Sequence, residues 1–202
     1  MALGYRGLEQ SLIGRLLYLH GFLSGPSSRK AQDLQVRMRE RGLGDAFLCP
    51  QLPVAPQEAI ALAESLLQPG TVLVGSSLGG FYATWLCEHH PERVSHAVLV
   101  NPAVVAYISL AQYIGKQKNL YTGEAFDFTQ THIDAMHALD VPELKRQEAY
   151  WLLAEEGDEV LDYRQAVSKY QGAKQTVLSG GNHTFSRWHD YLDAIIDLVE
   201  RN

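Results

Sequence analysis

The chain has 202 residues, 46% of them hydrophobic, and a net charge of −6 from 17 Lys and Arg against 23 Asp and Glu. That is the size of one domain with enough apolar side chains for a real core. The acidic balance, with no basic run of five or more, argues against nucleic acid or an anionic membrane as the main partner. No apolar run approaches the ~20 residues of a membrane span. Residues 1–14 lack a basic stretch followed by an apolar one, so no signal peptide is expected. Cys49 and Cys87 have no C-x-x-C spacing and apolar neighbours, which reads as two free thiols in a reducing cytoplasm. No H-E-x-x-H, Cys/His cluster, P-loop or G-x-G-x-x-G occurs, so neither a metal nor a nucleotide cofactor is expected.

After residues 1–14, an N-terminal extension with no motif, Leu16–Leu19 reads as a buried strand running into His20-Gly21-Phe22. Ala31, Leu34 and Met38 recur at helical spacing within a helix expected over Ser28–Arg41. Ala46–Cys49 is a second short strand. Pro56 opens a helix through Leu67, and Pro69-Gly70 closes it.

Thr71-Val72-Leu73-Val74 is β-branched and apolar, hence a strand. It runs into Gly75-Ser76-Ser77-Leu78-Gly79, a G-x-S-x-G turn, followed by the apolar run Phe81–Cys87, long enough for a helix. Strand, G-x-S-x-G and helix in that order are the requirements of a nucleophile elbow, a serine exposed on a tight bend above a sheet. Glycine at 75 and 79 suits a place where strand and helix backbones close on each other. The motif frame centres on Ser77; centring it on Ser76 would put Val74 in place of the first glycine.

A serine hydroxyl needs a histidine as base and an acid to orient that histidine. In elbow folds the chain order is Ser, Asp or Glu, then His. His89 and His90, just before Pro91, suit a helix C-terminus. His96 opens the next strand, Ala97–Val100. His132 and His137 fall in a helical stretch over Thr129–Leu139, as surface or cap residues, and His189 lies in the last helix, Trp188–Glu200. His183 sits apart from these, in Ser179-Gly180-Gly181-Asn182-His183, a loop after the short strand Thr176–Leu178. It is therefore the candidate base.

The candidate acids, Glu155, Glu156, Asp158, Glu159 and Asp162, follow the strand-like Ala149–Ala154. Asp158 comes straight after Gly157, where a sharp turn points the carboxylate inward. Asp162 reads as the N-cap of a helix over Tyr163–Gln171. Most of the cluster reads as a solvated acidic loop, with Asp158 favoured as the acid and Asp162 and Glu156 behind it. The oxyanion donors are expected to be the backbone N–H groups of Leu78, after the serine, and Phe22, after the first strand. His20 precedes the serine and is read as shaping that loop.

Alternating strands and helices argue for an α/β fold with a mostly parallel sheet of about six strands, covered on both faces. Residues 102–147 break the rhythm. They carry Tyr107, Tyr113, Tyr121, Phe126 and Phe128 and are expected to form a small helical cap whose aromatics line an acyl pocket or pack the cap onto the body.

Taken together, His20-Gly21-Phe22, Gly75-Ser76-Ser77-Leu78-Gly79-Gly80, Asn101-Pro102, Gly157-Asp158-Glu159-Val160-Leu161-Asp162-Tyr163 and Gly180-Gly181-Asn182-His183 resemble the α/β-hydrolase superfamily, and more narrowly the small bacterial YqiA-type esterases. The resemblance covers roughly residues 15 to 200. It implies a minimal α/β-hydrolase fold, with esterase or acyl-thioesterase activity through Ser77, Asp158 and His183 on a small-molecule acyl substrate. An acyltransferase, lyase or peptidase on the same scaffold, or a non-catalytic binding module, are the other readings, because fold and triad do not fix the reaction.

Overall fold

The computed structural model describes residues 14–201. The expected N-terminal extension therefore lies, apart from Gly14, outside the described residues.

The principal sheet has six strands: β1 (Leu16–Leu19), β2 (Phe47–Leu48), β3 (Thr71–Ser76), β4 (Val94–Val100), β7 (Tyr150–Glu155) and β8 (Lys174–Leu178). Their spatial order is β2-β1-β3-β4-β7-β8, and every pairing is parallel. Parallel neighbours need crossovers, and here the crossovers are helical. The helices are α1 (Arg29–Glu40), α2 (Pro56–Leu66), α3 (Leu78–His89), α4 (Ala106–Ser109), α5 (Gln130–Ala138), α6 (Tyr163–Lys169) and α7 (Leu192–Glu200).

Side chains alternate across a strand, so each central strand feeds two cores. Leu17, Leu19, Leu73, Ala97, Leu99, Leu152 and Ala154 face one way, against residues of α2, α3, α5 and α6. Leu16, Tyr18, Val72, Val74, Val98, Val100, Trp151 and Leu153 face the other, against Ala31, Leu34 and Met38 of α1 and Ile195, Ile196 and Val199 of α7. Strands buried on both faces read as continuous apolar runs, which is why β1, β3 and β4 are visible in the sequence.

Several boundaries differ from the sequence reading. The third strand continues through Gly75 and Ser76, so the turn begins at Ser77 itself. The fourth begins at Val94, placing His96 inside it. The final helix begins at Leu192, after a 3-10 turn over Trp188–Tyr191. Residues 102–147 carry the helices α4 and α5 and, in addition, an antiparallel hairpin of β5 (Gly115–Lys118) and β6 (Ala125–Phe128) that the sequence pattern does not announce. Its strands are only four residues each; the first, Gly-Lys-Gln-Lys, is polar and largely exposed, and the second, Ala-Phe-Asp-Phe, alternates with only Phe128 buried, so neither forms an apolar run.

Among the described residues no helix is long and apolar enough to cross a membrane. Cys49 is half-buried and Cys87 buried, and both are free thiols.

The close fit of α3 to the sheet rests on missing side chains. A Cβ on Gly79 would lie 1.9 Å from the Leu19 carbonyl oxygen, and one on Gly75 would lie 2.4 Å from the Gly79 oxygen. Both obstacles are backbone and cannot swing aside. Gly79→Ala should therefore destabilise the fold in urea denaturation by well beyond the roughly 1–3 kcal/mol of ordinary overpacking. Gly42→Ala, where nothing lies within 4 Å of the added carbon, should cost about 1 kcal/mol through its positive φ alone. Equal midpoints for the two variants would contradict this account of the α3–β1 contact.

Candidate active site

The candidate residues come from four loops, after β1, β3, β7 and β8. In an all-parallel sheet these all leave the carboxyl edge, where open α/β sheets gather their ligands.

Ser77 joins β3 to α3 at φ 55° and ψ −120°, a region that non-glycine residues rarely occupy. Its backbone is tied on both sides. Its N–H donates to Val100 O at 3.0 Å, and its carbonyl accepts from Gly80 N at 2.9 Å and Ala103 N at 3.0 Å. Ser76 stays in the strand beneath it.

His183 Nε2 lies 3.2 Å from Ser77 Oγ. On the other side of the ring, Nδ1 lies 2.8 Å from Asp158 Oδ2 and 3.0 Å from Oδ1. The Asp158 side chain is 1% exposed and that of His183 21%. Asp158 Oδ1 also accepts from Val160 N and Leu161 N, both at 2.9 Å, so the loop's own amides compensate the buried carboxylate. That network favours the tautomer with the proton on Nδ1, leaving Nε2 as an acceptor toward the serine.

The other acids lie elsewhere. Asp162 caps α6 through Arg164 N at 3.1 Å and pairs with the Arg164 side chain at 2.8 Å. Glu156 is exposed, and its carboxylate accepts from Tyr163 Oη at 3.4 Å. Glu159 accepts from His183 N at 2.9 Å, and that bond pulls its carboxyl below the usual range.

Gly21 lies against the serine: a Cβ there would be 3.1 Å from Ser77 Cβ. Among the described residues, neither Phe22 N–H nor Leu78 N–H is committed to another hydrogen bond. Leu78 opens α3, where the first N–H groups have no partner within the helix. His20 is buried, accepts from Leu52 N at 3.0 Å through Nε2 and bonds Gly21 O at 3.0 Å through Nδ1. Burial pulls its pKa down, so it is a neutral brace for the loop.

Each remaining histidine is engaged away from Ser77 or lies within the sheet. His89 stacks on Trp85, and His90 pairs with Glu64 at 2.7 Å. His96 lies within β4. His132 accepts from Thr129 N, His137 packs on Tyr107 and His189 pairs with Asp33 at 3.3 Å.

Sequence reasoning missed Glu155. It reads as one acid of a solvated loop, yet it ends β7 with its side chain 0% exposed. Its carboxylate accepts from Asn182 N, Ser186 N, Ser186 Oγ, Arg187 N and Arg187 Nε at 2.8–3.2 Å. These donors bracket His183. Asn101, at φ 41°, closes the bracket: its Nδ2 donates to the carbonyls of Asn182 and His183 at 3.0 and 3.1 Å, and its Oδ1 accepts from Glu155 N at 2.9 Å. The available signal was the strand itself, whose apolar run places residue 155 at the end of a buried element.

Two cavities lie near the turn, and Ser77 itself lines the larger. The larger, about 420 Å³, is walled by Tyr18, Lys30, Tyr121, His183 and Trp188, among others. The smaller, about 40 Å³, lies against Phe22, Leu52, Val54, Leu78, Tyr82 and Phe126. Of the insertion's aromatics, Tyr121 thus lines the first and Phe126 the second, while Tyr113, Phe126 and Phe128 pack around Phe22 with ring centroids 4.9–6.3 Å away. Among the described residues no three His, Cys, Asp or Glu side chains are grouped to hold a metal ion.

This six-stranded parallel sheet, with its serine turn at the carboxyl edge, is the α/β-hydrolase fold, and solved structures agree. The chain resembles a protein from Agrobacterium vitis S4 (19% identity, TM-score 0.69, covering 93% of this chain and 88% of that one). It resembles mouse alpha/beta hydrolase domain-containing protein 10 (16%, 0.66, 92% and 89%) and a monoacylglycerol lipase from Paleococcus ferrophilus (16%, 0.64, 94% and 95%). The chain belongs to the uncharacterised protein family UPF0227, which it matches over residues 15–200, consistent with the YqiA-type resemblance.

The Glu155 carboxylate sets a pH dependence. Burial opposes its ionisation, but the backbone and hydroxyl donors of Asn182 and Ser186, with Arg187, outweigh burial and hold its pKa at about 2. A carboxyl depressed on folding stabilises the native state above its unfolded value, near 4.5, and loses that contribution as pH falls toward about 2. Glu155→Gln should flatten this part of the acid-unfolding curve and cost roughly 1–3 kcal/mol at pH 7. Identical acid limbs in the two proteins would contradict the assignment.

Proposed function

We propose that this protein is a serine hydrolase that cleaves carboxylic esters or acyl thioesters through an acyl-enzyme. The observation that carries the reading is the unbroken chain from Asp158 through His183 to Ser77, with hydrogen-bond distances of 2.8 and 3.2 Å, built on a turn that projects Ser77 from the sheet. Lipases and esterases among the similar folds, such as the monoacylglycerol lipase of Paleococcus ferrophilus, agree with it as analogy.

In this mechanism a substrate acyl carbon approaches Ser77 Oγ. His183 Nε2 takes the hydroxyl proton as the C–O bond forms, giving a tetrahedral oxyanion. The Asp158 carboxylate stabilises the imidazolium and keeps the ring oriented. The oxyanion is held by the Phe22 and Leu78 N–H groups, each worth ~3 kcal/mol of barrier by analogy with other oxyanion donors. His183 returns the proton to the leaving oxygen or sulfur, and the acyl group remains on Ser77. Water enters, His183 deprotonates it, and the second tetrahedral species collapses to release the acid and regenerate the serine. The substrate is a small-molecule acyl ester or thioester, and residues 102–147 act as a cap over the cavity.

Ser77→Ala should abolish turnover of p-nitrophenyl butyrate and labelling by a fluorophosphonate probe, with the far-UV circular dichroism unchanged. Asp158→Asn should lower kcat by about 10⁴-fold, as in other triads where the orienting acid is neutralised. Wild-type turnover in the Ser77 variant would refute the nucleophile. A less than tenfold loss in the Asp158 variant would move the orienting acid to another carboxylate.

A further inference from the structure

The larger cavity has a wall that ester hydrolysis does not itself require. Besides Ser77 and His183, the cavity is lined by Ser28, the N-cap of α1, and by Arg29 and Lys30 of the first turn. Lys30 Nζ donates to Thr184 O at 2.8 Å, and among the described residues no carboxylate lies within 4.0 Å of it. Two of its three protons are left for another acceptor. Burial draws its pKa down to about 8 against the pull of Asp158 and Glu155, so at neutral pH it is a cation that gains from a nearby negative charge.

Ser28 is the N-cap of α1, is 8% exposed and makes no side-chain cap bond. Its Oγ is buried with no hydrogen-bond partner among the described residues. The first turn of α1 holds no acidic residue, so neither a capping oxygen nor a carboxylate satisfies the N–H groups there. The Asp33 carboxylate on the same wall faces Arg29 at 3.8 Å and His189 at 3.3 Å. An ammonium without a carboxylate partner, a buried unpartnered hydroxyl and an uncapped helix N-terminus on one wall together form an anion-binding arrangement.

The wall also sets which arm of the substrate it meets. His183 must stand beside the leaving atom to protonate it, and this cavity runs along His183, Thr184, Phe185 and Ser186. The small cavity lies instead on the side of the Leu78 amide. We propose that Lys30 Nζ, Ser28 Oγ and the first-turn N–H groups of α1 form a subsite for a carboxylate or phosphate carried on the alcohol or thiol arm of the substrate. This deepens the hydrolase reading and rests on it.

The test compares kcat/KM for 4-butyryloxybenzoate and 4-butyryloxyphenyl phosphate with that for neutral 4-butyryloxybenzamide, in wild type, Lys30→Met and Ser28→Ala. Ratios between variants cancel the substrates' intrinsic reactivities. Wild type should favour at least one anionic ester by about tenfold or more, the range of a charge-assisted hydrogen bond. Lys30→Met should bring that preference close to one, and Ser28→Ala should reduce it. Favouring only the phosphate or only the carboxylate identifies the group. A preference absent in wild type, or unchanged in Lys30→Met, overturns the subsite, as does a preference that appears only for the 4-nitrophenyl monoester of glutarate, whose charge lies on the acyl side. Fluorophosphonate labelling of Ser77 in parallel separates the two failures: no labelling sinks the hydrolase reading, whereas labelling with a flat selectivity sinks only the subsite.

Discussion

The site is organised around a backbone conformation that its own residue disfavours. Ser77 is held at positive φ by three backbone hydrogen bonds, from its amide to Val100 and into its carbonyl from Gly80 and Ala103. A strained residue of this kind costs of order 1–3 kcal/mol and persists only where the surroundings over-determine it. Here the surroundings are the parallel sheet, whose neighbouring strands end beside the turn, and the glycines at 75 and 79, which let α3 sit directly on the strand ends. Among the described residues the non-glycine positions with positive φ are Leu23, Ser77, Asn101 and Phe185. They follow β1, β3, β4 and β8, so the strain is gathered at the one edge where the candidate residues meet.

The histidine is held by different means. Its loop, after β8, has no regular structure to fix it. Glu155 and Asn101, from the ends of β7 and β4, supply the rigidity: one accepts from amides on both sides of His183 and the other donates to carbonyls of residues 182 and 183. A buried carboxylate surrounded by N–H donors does for an irregular loop what a ladder of backbone bonds does for a strand. The two-residue gap between Glu155 and Asp158 contains Gly157, whose Cβ would lie 2.5 Å from the Gly181 oxygen. One short turn thus lets two neighbouring acids take separate tasks, one holding the loop and one facing the imidazole.

What could be read from the sequence follows from which signals are local. The sheet was legible because strands buried on both faces carry unbroken apolar runs, and the Ser77 turn was legible because its glycines are demanded by contacts a few residues away. Asp158 and His183 were reachable through the chain order of an elbow fold taken with their loops, a glycine just before the acid and a Gly-Gly-Asn stretch just before the histidine. Glu155 was misread because its partners lie 27 to 32 residues downstream, and composition around a charged residue does not show whether distant donors will surround it. The hairpin of β5 and β6 was missed because each strand is only four residues long and the first, Gly-Lys-Gln-Lys, is polar, so Phe126 and Phe128 alone carry its pattern. Lys30 carries no local signal of its own, and only the packing of α1 beside the β8 loop sets it against Thr184.

That hairpin also changes what the insertion does. Leu120 N donates to Leu23 O at 3.0 Å and Asn119 Nδ2 to Ser24 O at 2.8 Å, while Tyr113, Phe126 and Phe128 enclose the Phe22 ring. The β1 loop is thereby clamped between Ser77, which Gly21 touches, and the insertion, which grips residues 22 to 24. The direction of the Phe22 amide depends on both contacts. A cap that merely covered a cavity could be trimmed at the expense of substrate selection alone. One that fixes the loop carrying a proposed oxyanion donor ties the geometry around Ser77 to the packing of three aromatic rings that lie more than 90 residues beyond Phe22 in the chain, so the insertion and the β1 loop must be treated as one unit when either is altered.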